Sequence, residues 1–203
     1  MGCDNGGAIK ESNEKPNVIF VIGGPGCGKG TQCKKIVENF KYESFSTGDL
    51  LRNYVKEKKD GYEDIQKLMT EGKLISSETL MKVLKTYVVN CPNKKILIDG
   101  YPRNQENIDV WEKEMGDLVN VKAALYIEVS NEEMKKRLLG RNEGRADDNE
   151  KTILKRIDVF DKETRPLAPT FEKQGILVRI DCNRTKEEIF EDIKKKLVEL
   201  KLA

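Results

Sequence analysis

The stretch that most constrains this chain is residues 17–31, NVIFVIGGPGCGKGT. Asn17 to Ile22 is apolar and rich in β-branched residues, the composition of a strand buried on both faces of a parallel sheet. The run stops at glycine. Gly23-Gly24-Pro25-Gly26-Cys27-Gly28-Lys29 then fits the pattern G-x-x-x-x-G-K, and a helical pattern (Lys34, Lys35, Ile36, Val37, Phe40) follows at once. Strand, glycine loop and helix stand in the order that a phosphate cradle requires. Only glycines let successive backbone N–H groups converge on one point, while the helix N-terminus adds partial positive charge and Lys29 can reach the β- and γ-phosphates. Such a loop suits a nucleoside triphosphate. The general motif places Ser or Thr directly after the lysine; here Gly30 intervenes and Thr31 comes one residue later, which moves the hydroxyl available to Mg²⁺.

With 203 residues the chain has room for one well-buried α/β domain. A formal charge of +2, with 35% of residues charged, means interspersed charge and argues against a polynucleotide partner. The five cysteines are scattered without C-x-x-C pairs and there is no histidine, so a Cys/His zinc site is excluded and reduced intracellular thiols are expected. The absence of histidine also removes Ser-His-Asp, Cys-His and H-E-x-x-H chemistry. Catalysis must then rest on Lys, Arg, carboxylates, backbone and metal, which phosphoryl transfer can use. No stretch has the length and apolarity of a membrane span, and residues 1–16 lack the apolar centre of a secretory signal, so a soluble cytoplasmic protein is expected. Residues 1–16 read as a disordered polar lead-in. The start MGCDNGG puts Gly2 beside Cys3 but has Gly6 where the acylation pattern wants Ser or Thr, a weak signal for a lipid anchor.

Further along, Ser46-Thr47-Gly48-Asp49 is a helix-start signal with Leu50, Leu51, Tyr54 and Val55 at helical spacing behind it, and Arg52 lies one turn in. Residues 61–71 and 77–90 read as two more helices, which together suggest a helical excursion at about 46–75. Lys95–Asp99 is a second buried strand, ending in an acid directly before Gly100-Tyr101-Pro102-Arg103-Asn104. An aspartate at the carboxyl end of a strand beside a phosphate loop is placed to handle Mg²⁺ or its water shell. Strands are also expected at 123–129 and 175–181, a helix at 131–139, a long helix at 151–173 and a last helix at 185–200. Arg137, Arg141, Arg145, Asp147, Asp148 and Arg156 form the most unusual electrostatic run. Clustered arginines pair bidentately with phosphate, and the two acids could hold them while the site is empty, so a short lid is expected at about 141–149.

These motifs together resemble the nucleoside monophosphate kinases of the adenylate kinase and UMP/CMP kinase group, in their short-lid form. The resemblance covers about residues 17–200 and rests on GGPGCGKGTQ (23–32), STGDLLR (46–52), LIDGYPRN (97–104), RLLGR (137–141), GRADDN (144–149) and Arg156. It implies a P-loop NTPase fold: an α/β domain over 17–203 with a five-stranded parallel sheet, helices on both faces, a small NMP-binding excursion and a lid. It further implies that the amides of the loop, Gly24, Gly26, Cys27, Gly28 and Gly30 among them, hold ATP with Lys29, Thr31 and Arg141. Thr47, Arg52, Gly100, Arg103 and Asn107 would bind the monophosphate, and Lys29, Arg103, Arg141, Arg145 and Arg156 would stabilise the phosphoryl group in flight, Arg145 and Arg156 also touching the acceptor. Mg²⁺ would be held near Thr31 and Asp99, through water. A small-molecule enzyme acting as a monomer is expected.

Two departures stand out. The loop RNEGR (141–145) looks about two residues shorter than the family's short lid. Thr47 resembles the adenylate kinase version of its motif, whereas PRNQEN (102–107) resembles UMP/CMP kinases, with Asn107 where the family reads the acceptor base. Asn107 tips the reading to UMP and CMP, with adenylate kinase as the alternative and a silent nucleotide-binding scaffold as a remote one. A GTPase switch is disfavoured because no N-K-x-D signature is present.

Overall fold

Residues 14–140 and 149–203 are described by the structure, a computed structural model. The apolar run after Pro16 is strand β1 (Asn17–Gly23), buried from Val18 to Ile22 without alternation, as a strand covered on both faces must be. The rest of the chain alternates around it. Helix α1 (Lys29–Phe40) leads to β2 (Glu43–Ser46). Helices α2 (Thr47–Lys56), α3 (Tyr62–Thr70) and α4 (Ser77–Val89) intervene before β3 (Lys95–Asp99). Then come α5 (Gln105–Met115), β4 (Asn120–Glu128), α6 (Asn131–Leu139), α7 (Glu150–Val159), α8 (Ala168–Lys173), β5 (Leu177–Asp181) and α9 (Lys186–Glu199). The five strands are all parallel, in the order β2-β3-β1-β4-β5.

The order places β1 at the centre, with the chain going first to one side and later to the other. Such a reversal opens a crevice at the carboxyl ends of the strands. Register puts Val21 beside Asp99, and the Gly100 N–H donates to the Val21 carbonyl at 2.9 Å. The sheet thereby delivers the acid of β3 to the start of the glycine loop. On one face Phe20 packs edge-on against Trp111, 4.9 Å between ring centroids, with Tyr101 and Phe171 beside it. Burying such a side chain contributes ~1.5–3 kcal/mol.

Three sequence expectations need correction. The long helix at 151–173 is interrupted: α7 stops at Val159, a π-turn spans Phe160–Thr164 and a 3₁₀ turn Arg165–Leu167, before α8 resumes. Pro166 is the reason, since it lacks an N–H and its ring crowds the carbonyl four residues back. A strand not named from pattern, β2, forms from the polar and half-exposed ESFS at the sheet edge. The strand expected at 123–129 begins earlier, at Asn120, whose N–H donates to the Pro16 carbonyl at 2.8 Å. The N-terminal segment with Gly2 and Cys3, and the lid residues Arg141, Arg145, Asp147 and Asp148, lie outside the described residues. Among the described residues no helix is long and apolar enough to cross a membrane.

Candidate active site

The glycine loop joins β1 to α1 under tight steric limits. Gly28 has φ +98°, a left-handed conformation that a side chain would strain. A Cβ on Gly24 would lie 2.1 Å from Met134 Sδ, so helix α6 packs directly on the loop. Side chains cap α2, α4, α5, α6, α7 and α9, through Ser46, Ser76, Asn104, Ser130, Asn149 and Thr185. Helix α1 has no side-chain cap and no acid in its first turn, which leaves its first N–H groups to a bound anion. The Lys29 ammonium folds back over the loop, donating to the carbonyls of Gly23 (2.6 Å) and Gly24 (2.8 Å) and approaching Cys27 Sγ at 3.5 Å.

This loop forms one end of a cleft of about 930 Å³. That volume lies near the top of the roughly 300–1,000 Å³ usual for small-molecule sites. Gly26, Cys27, Gly28, Lys29, Gly30 and Thr31 line it on one side; Gly48, Asp49, Arg52, Gly100 and Arg103 line another, and Arg156 and Asp99 complete the wall. Arg52 is paired with Asp49, three residues earlier on α2. Arg103 is held at several points. Its Nε donates to the Gly100 carbonyl at 2.9 Å, its guanidinium donates to Thr47 Oγ1 at 3.3 Å, and its own carbonyl accepts from Thr164 Oγ1 at 2.6 Å. Arg156 projects from α7 beside Gly72, where a Cβ would come within 3.1 Å of its Cγ. Helix α7 also reaches the end of α3, through Thr152 Oγ1 donating to the Thr70 carbonyl at 3.2 Å.

The Asp99 carboxylate overlooks the loop: its Oδ2 would stand 3.9 Å from a Cβ built on Gly30. Its charge is felt beneath the loop at Cys33, whose thiol is pushed well above its usual pKa by burial first and by Asp99 next, with Lys29 pulling the other way. Among the described residues no cluster of three or more Cys, Asp or Glu could cage a metal. One carboxylate, with the Thr31 hydroxyl on the same cleft, fits a hard ion that keeps most of its waters and takes its other ligands from phosphate.

Two expected acceptor-site residues sit deeper than sequence alone suggested. Thr47 is fully buried, and its hydroxyl is engaged with the Asp99 and Gly100 carbonyls (3.1 Å each) and with Arg103. Asn107, only 2% exposed, stands behind the cleft lining. Its Oδ1 accepts from the Arg103 N–H at 3.0 Å and its Nδ2 donates to Ser77 Oγ at 2.8 Å. Lys29, Thr31, Arg52, Asp99, Gly100, Arg103 and Arg156 do converge on the cleft. Arg137 also lines it, a residue that the sequence offers only as one arginine of a charged run. It ties the loop to β5, with Nη1 donating to the Cys27 carbonyl at 3.4 Å and Nη2 to the Cys182 carbonyl at 3.0 Å. Thr164 has no signal in sequence, because only the π-turn aims it at Arg103.

Residues 21–176 match the family model described as Adenylate kinase. This chain belongs to the adenylate kinase family. Within that family it is similar to UMP-CMP kinase 1 of Oryza sativa subsp. japonica, 45% identical over 183 residues that make up 89% of this chain and 74% of that protein. UMP-CMP kinase 3 of Arabidopsis thaliana is 44% identical over 92% of each chain. The UMP-CMP kinase of Homo sapiens is 39% identical over 88% of this chain and 95% of its own. The phosphate loop from Gly23 and the helix carrying Arg156 both fall inside the stretch that matches the family model.

Proposed function

We propose that this adenylate kinase family member transfers the γ-phosphoryl group of ATP to a nucleoside monophosphate, with UMP and CMP as the favoured acceptors. The observation that carries the reading is that the Lys29 loop and Arg103 open into one cleft, so two phosphorylated ligands can meet there. The relatives named UMP-CMP kinases support the choice of acceptor.

Lys29 and the N–H groups of the loop and first α1 turn would bind the triphosphate. Arg52 and Arg103 would bind the monophosphate, Arg52 by exchanging Asp49 for phosphate oxygens. Arg156, with Arg141 and Arg145, would balance charge on the group in flight. Mg²⁺ would lie by Asp99 and Thr31, where it shields phosphate charge. No general base is needed, because the attacking oxygen belongs to a phosphate already ionised at neutral pH. The protein's task is to align two anions and to exclude water, which would otherwise accept the phosphoryl group. The Thr152–Thr70 contact links α7, which carries Arg156, to the helices on the acceptor side, so closure would bring both parts together. On this reading the chain works as a monomer on small nucleotides in the cytoplasm.

The test is a comparison of AMP, CMP and UMP as acceptors at one Mg·ATP concentration. A higher kcat/KM for the pyrimidine nucleotides is expected. A preference for AMP would overturn the acceptor assignment, and no transfer to any of the three would overturn the kinase reading.

A further inference from the structure

A second cavity, of about 290 Å³, lies between α5 and α8 on the face of the sheet that carries Phe20. Its walls are the buried rings of Phe20, Tyr101, Trp111 and Phe171. The ring pairs among them that touch are tilted by 48–79°, so none stacks face to face. The exposed residues Glu112, Gly116 and Gln174 mark the mouth. No lining residue is basic, so a phosphorylated ligand would find no counter-charge there. The Glu112 carboxylate can accept a hydrogen bond, and the Gln174 amide can accept or donate one. Pro102 lines both this cavity and the Lys29 cleft, and it joins Tyr101 to Arg103. The Tyr101 hydroxyl, donating to the Asn107 carbonyl at 2.6 Å, holds the ring in that shared wall.

An apolar cavity of about 150 Å³ stays dry and admits benzene, so about 290 Å³ has room for a second fused ring. Rings set at steep angles offer an inserted flat molecule both faces and edges, the two geometries that aromatic pairs prefer. We propose that this cavity binds a neutral aromatic molecule of one or two rings with an N–H donor at one edge, and that its occupant tightens the hold on the acceptor monophosphate. The donor edge would meet Glu112 or Gln174 at the mouth. Wall atoms that face a cavity lack contacts on that side, and an occupant supplies them. Tyr101 and Pro102 are thereby restrained, and Arg103 with them, so the monophosphate has less of the wall left to order when it binds. The coupling rests on the proposed kinase function and on Arg103 as a phosphate ligand, whereas the cavity site itself does not.

Indole is the probe, titrated calorimetrically into the full chain, with a Kd below about 1 mM expected. Trp111 is the one tryptophan of the chain, so ¹⁵N-labelled protein shows a single indole N–H signal, and it lies in the cavity wall. That signal should shift saturably with the calorimetric Kd, which places the ligand without any variant. Ile176→Phe and Val121→Phe each add ring volume from half-buried positions of the lining and should weaken indole by about tenfold or more, while kcat/KM for CMP without indole stays within about twofold. No heat of binding, a Trp111 signal that does not move, or indole affinity unchanged in both folded variants overturns the site. For the coupling, the Kd of CMP is measured with and without saturating indole and is expected to fall by about three- to tenfold, with CMP tightening indole by the same factor. An unchanged or weakened CMP affinity overturns the coupling. A chain that binds indole but neither CMP nor UMP overturns the coupling and the acceptor assignment together.

Discussion

Replacing Lys29 by methionine separates what this lysine does for the fold from what it does for the reaction. Its ammonium has three N–H donors, and two of them meet the Gly23 and Gly24 carbonyls at 2.6 and 2.8 Å, with Cys27 Sγ at 3.5 Å. Hydrogen bonds to a charged group contribute ~1.5–3 kcal/mol each when buried. Here the group is half-buried and water can replace it at the carbonyls, so a net loss of ~1–2 kcal/mol is expected. For a chain of this size that lowers Tm by roughly 2–8 °C. The catalytic loss has a different origin, because the ammonium must leave its loop carbonyls to follow the phosphates. Only contacts stronger in the transition state than in the bound ground state accelerate transfer, and one such donor in a water-poor site contributes ~2.7–4 kcal/mol, or about 100- to 1,000-fold in kcat. Thermal unfolding monitored by fluorescence gives the first quantity, and ADP release at saturating Mg·ATP and CMP gives the second. A folded Lys29→Met protein turning over within about tenfold of wild type would refute this reasoning.

Arg103→Ala should raise the KM for the monophosphate by about tenfold or more while the ATP KM holds, since a bidentate phosphate contact is lost; a change confined to ATP in initial-rate kinetics would reverse the assignment of the two phosphate sites. Gly24→Ala pushes a methyl to 2.1 Å from Met134 Sδ and should destabilise by ~1–3 kcal/mol in denaturant titrations, and the Gly24→Ala/Met134→Ala pair should lose less than the sum of its single variants. Burial raises the Tyr42 pKa to about 12, and its hydroxyl donates to the Leu202 carbonyl at 2.6 Å. A raised folded pKa contributes stability that is complete below the unfolded value near 10 and disappears as pH climbs to about 12, so urea midpoints should fall across that interval and Tyr42→Phe should flatten the fall.

The sequence was most legible where chemistry and periodicity coincide. Residues 17–31 declare strand, loop and helix because burial on two faces and convergence of backbone N–H groups each demand a narrow set of residues. Asp99 was legible for a related reason, as an acid at the end of an apolar run. Strand β2 was not, because ESFS at a sheet edge is held by backbone pairing to β3 and needs no apolar side chains. The break in the helix after Val159 had its cause in view at Pro166, yet the π-turn that aims Thr164 at Arg103 depends on how the chain resolves the proline, which composition does not specify. Arg137 stood in the run of clustered arginines with no place of its own until the fold set it against the Cys27 carbonyl. Asn107 and Thr47 show the opposite failure. The motif named them, and only packing shows that their polar atoms are already engaged inside the protein.

The central place of β1 also dictates when this enzyme can come into being during synthesis. Asn17 pairs with Lys95 on one side and with Asn120 on the other, so β1 on leaving the ribosome waits for partners 78 and 103 positions further along. At roughly 5–20 residues per second that interval lasts about 5–20 s. Until β3 is made Val18-Ile19-Phe20-Val21-Ile22 has neither neighbour, and until β4 it has only one, and an unpaired apolar strand edge is a template for another nascent chain. The phosphate loop inherits the same delay, since Gly23 acquires its pairing partner only at Ile127 and Gly24 packs against Met134, made later still. β1 therefore stays open until β3 and β4 have been made, before any nucleotide can stabilise the site.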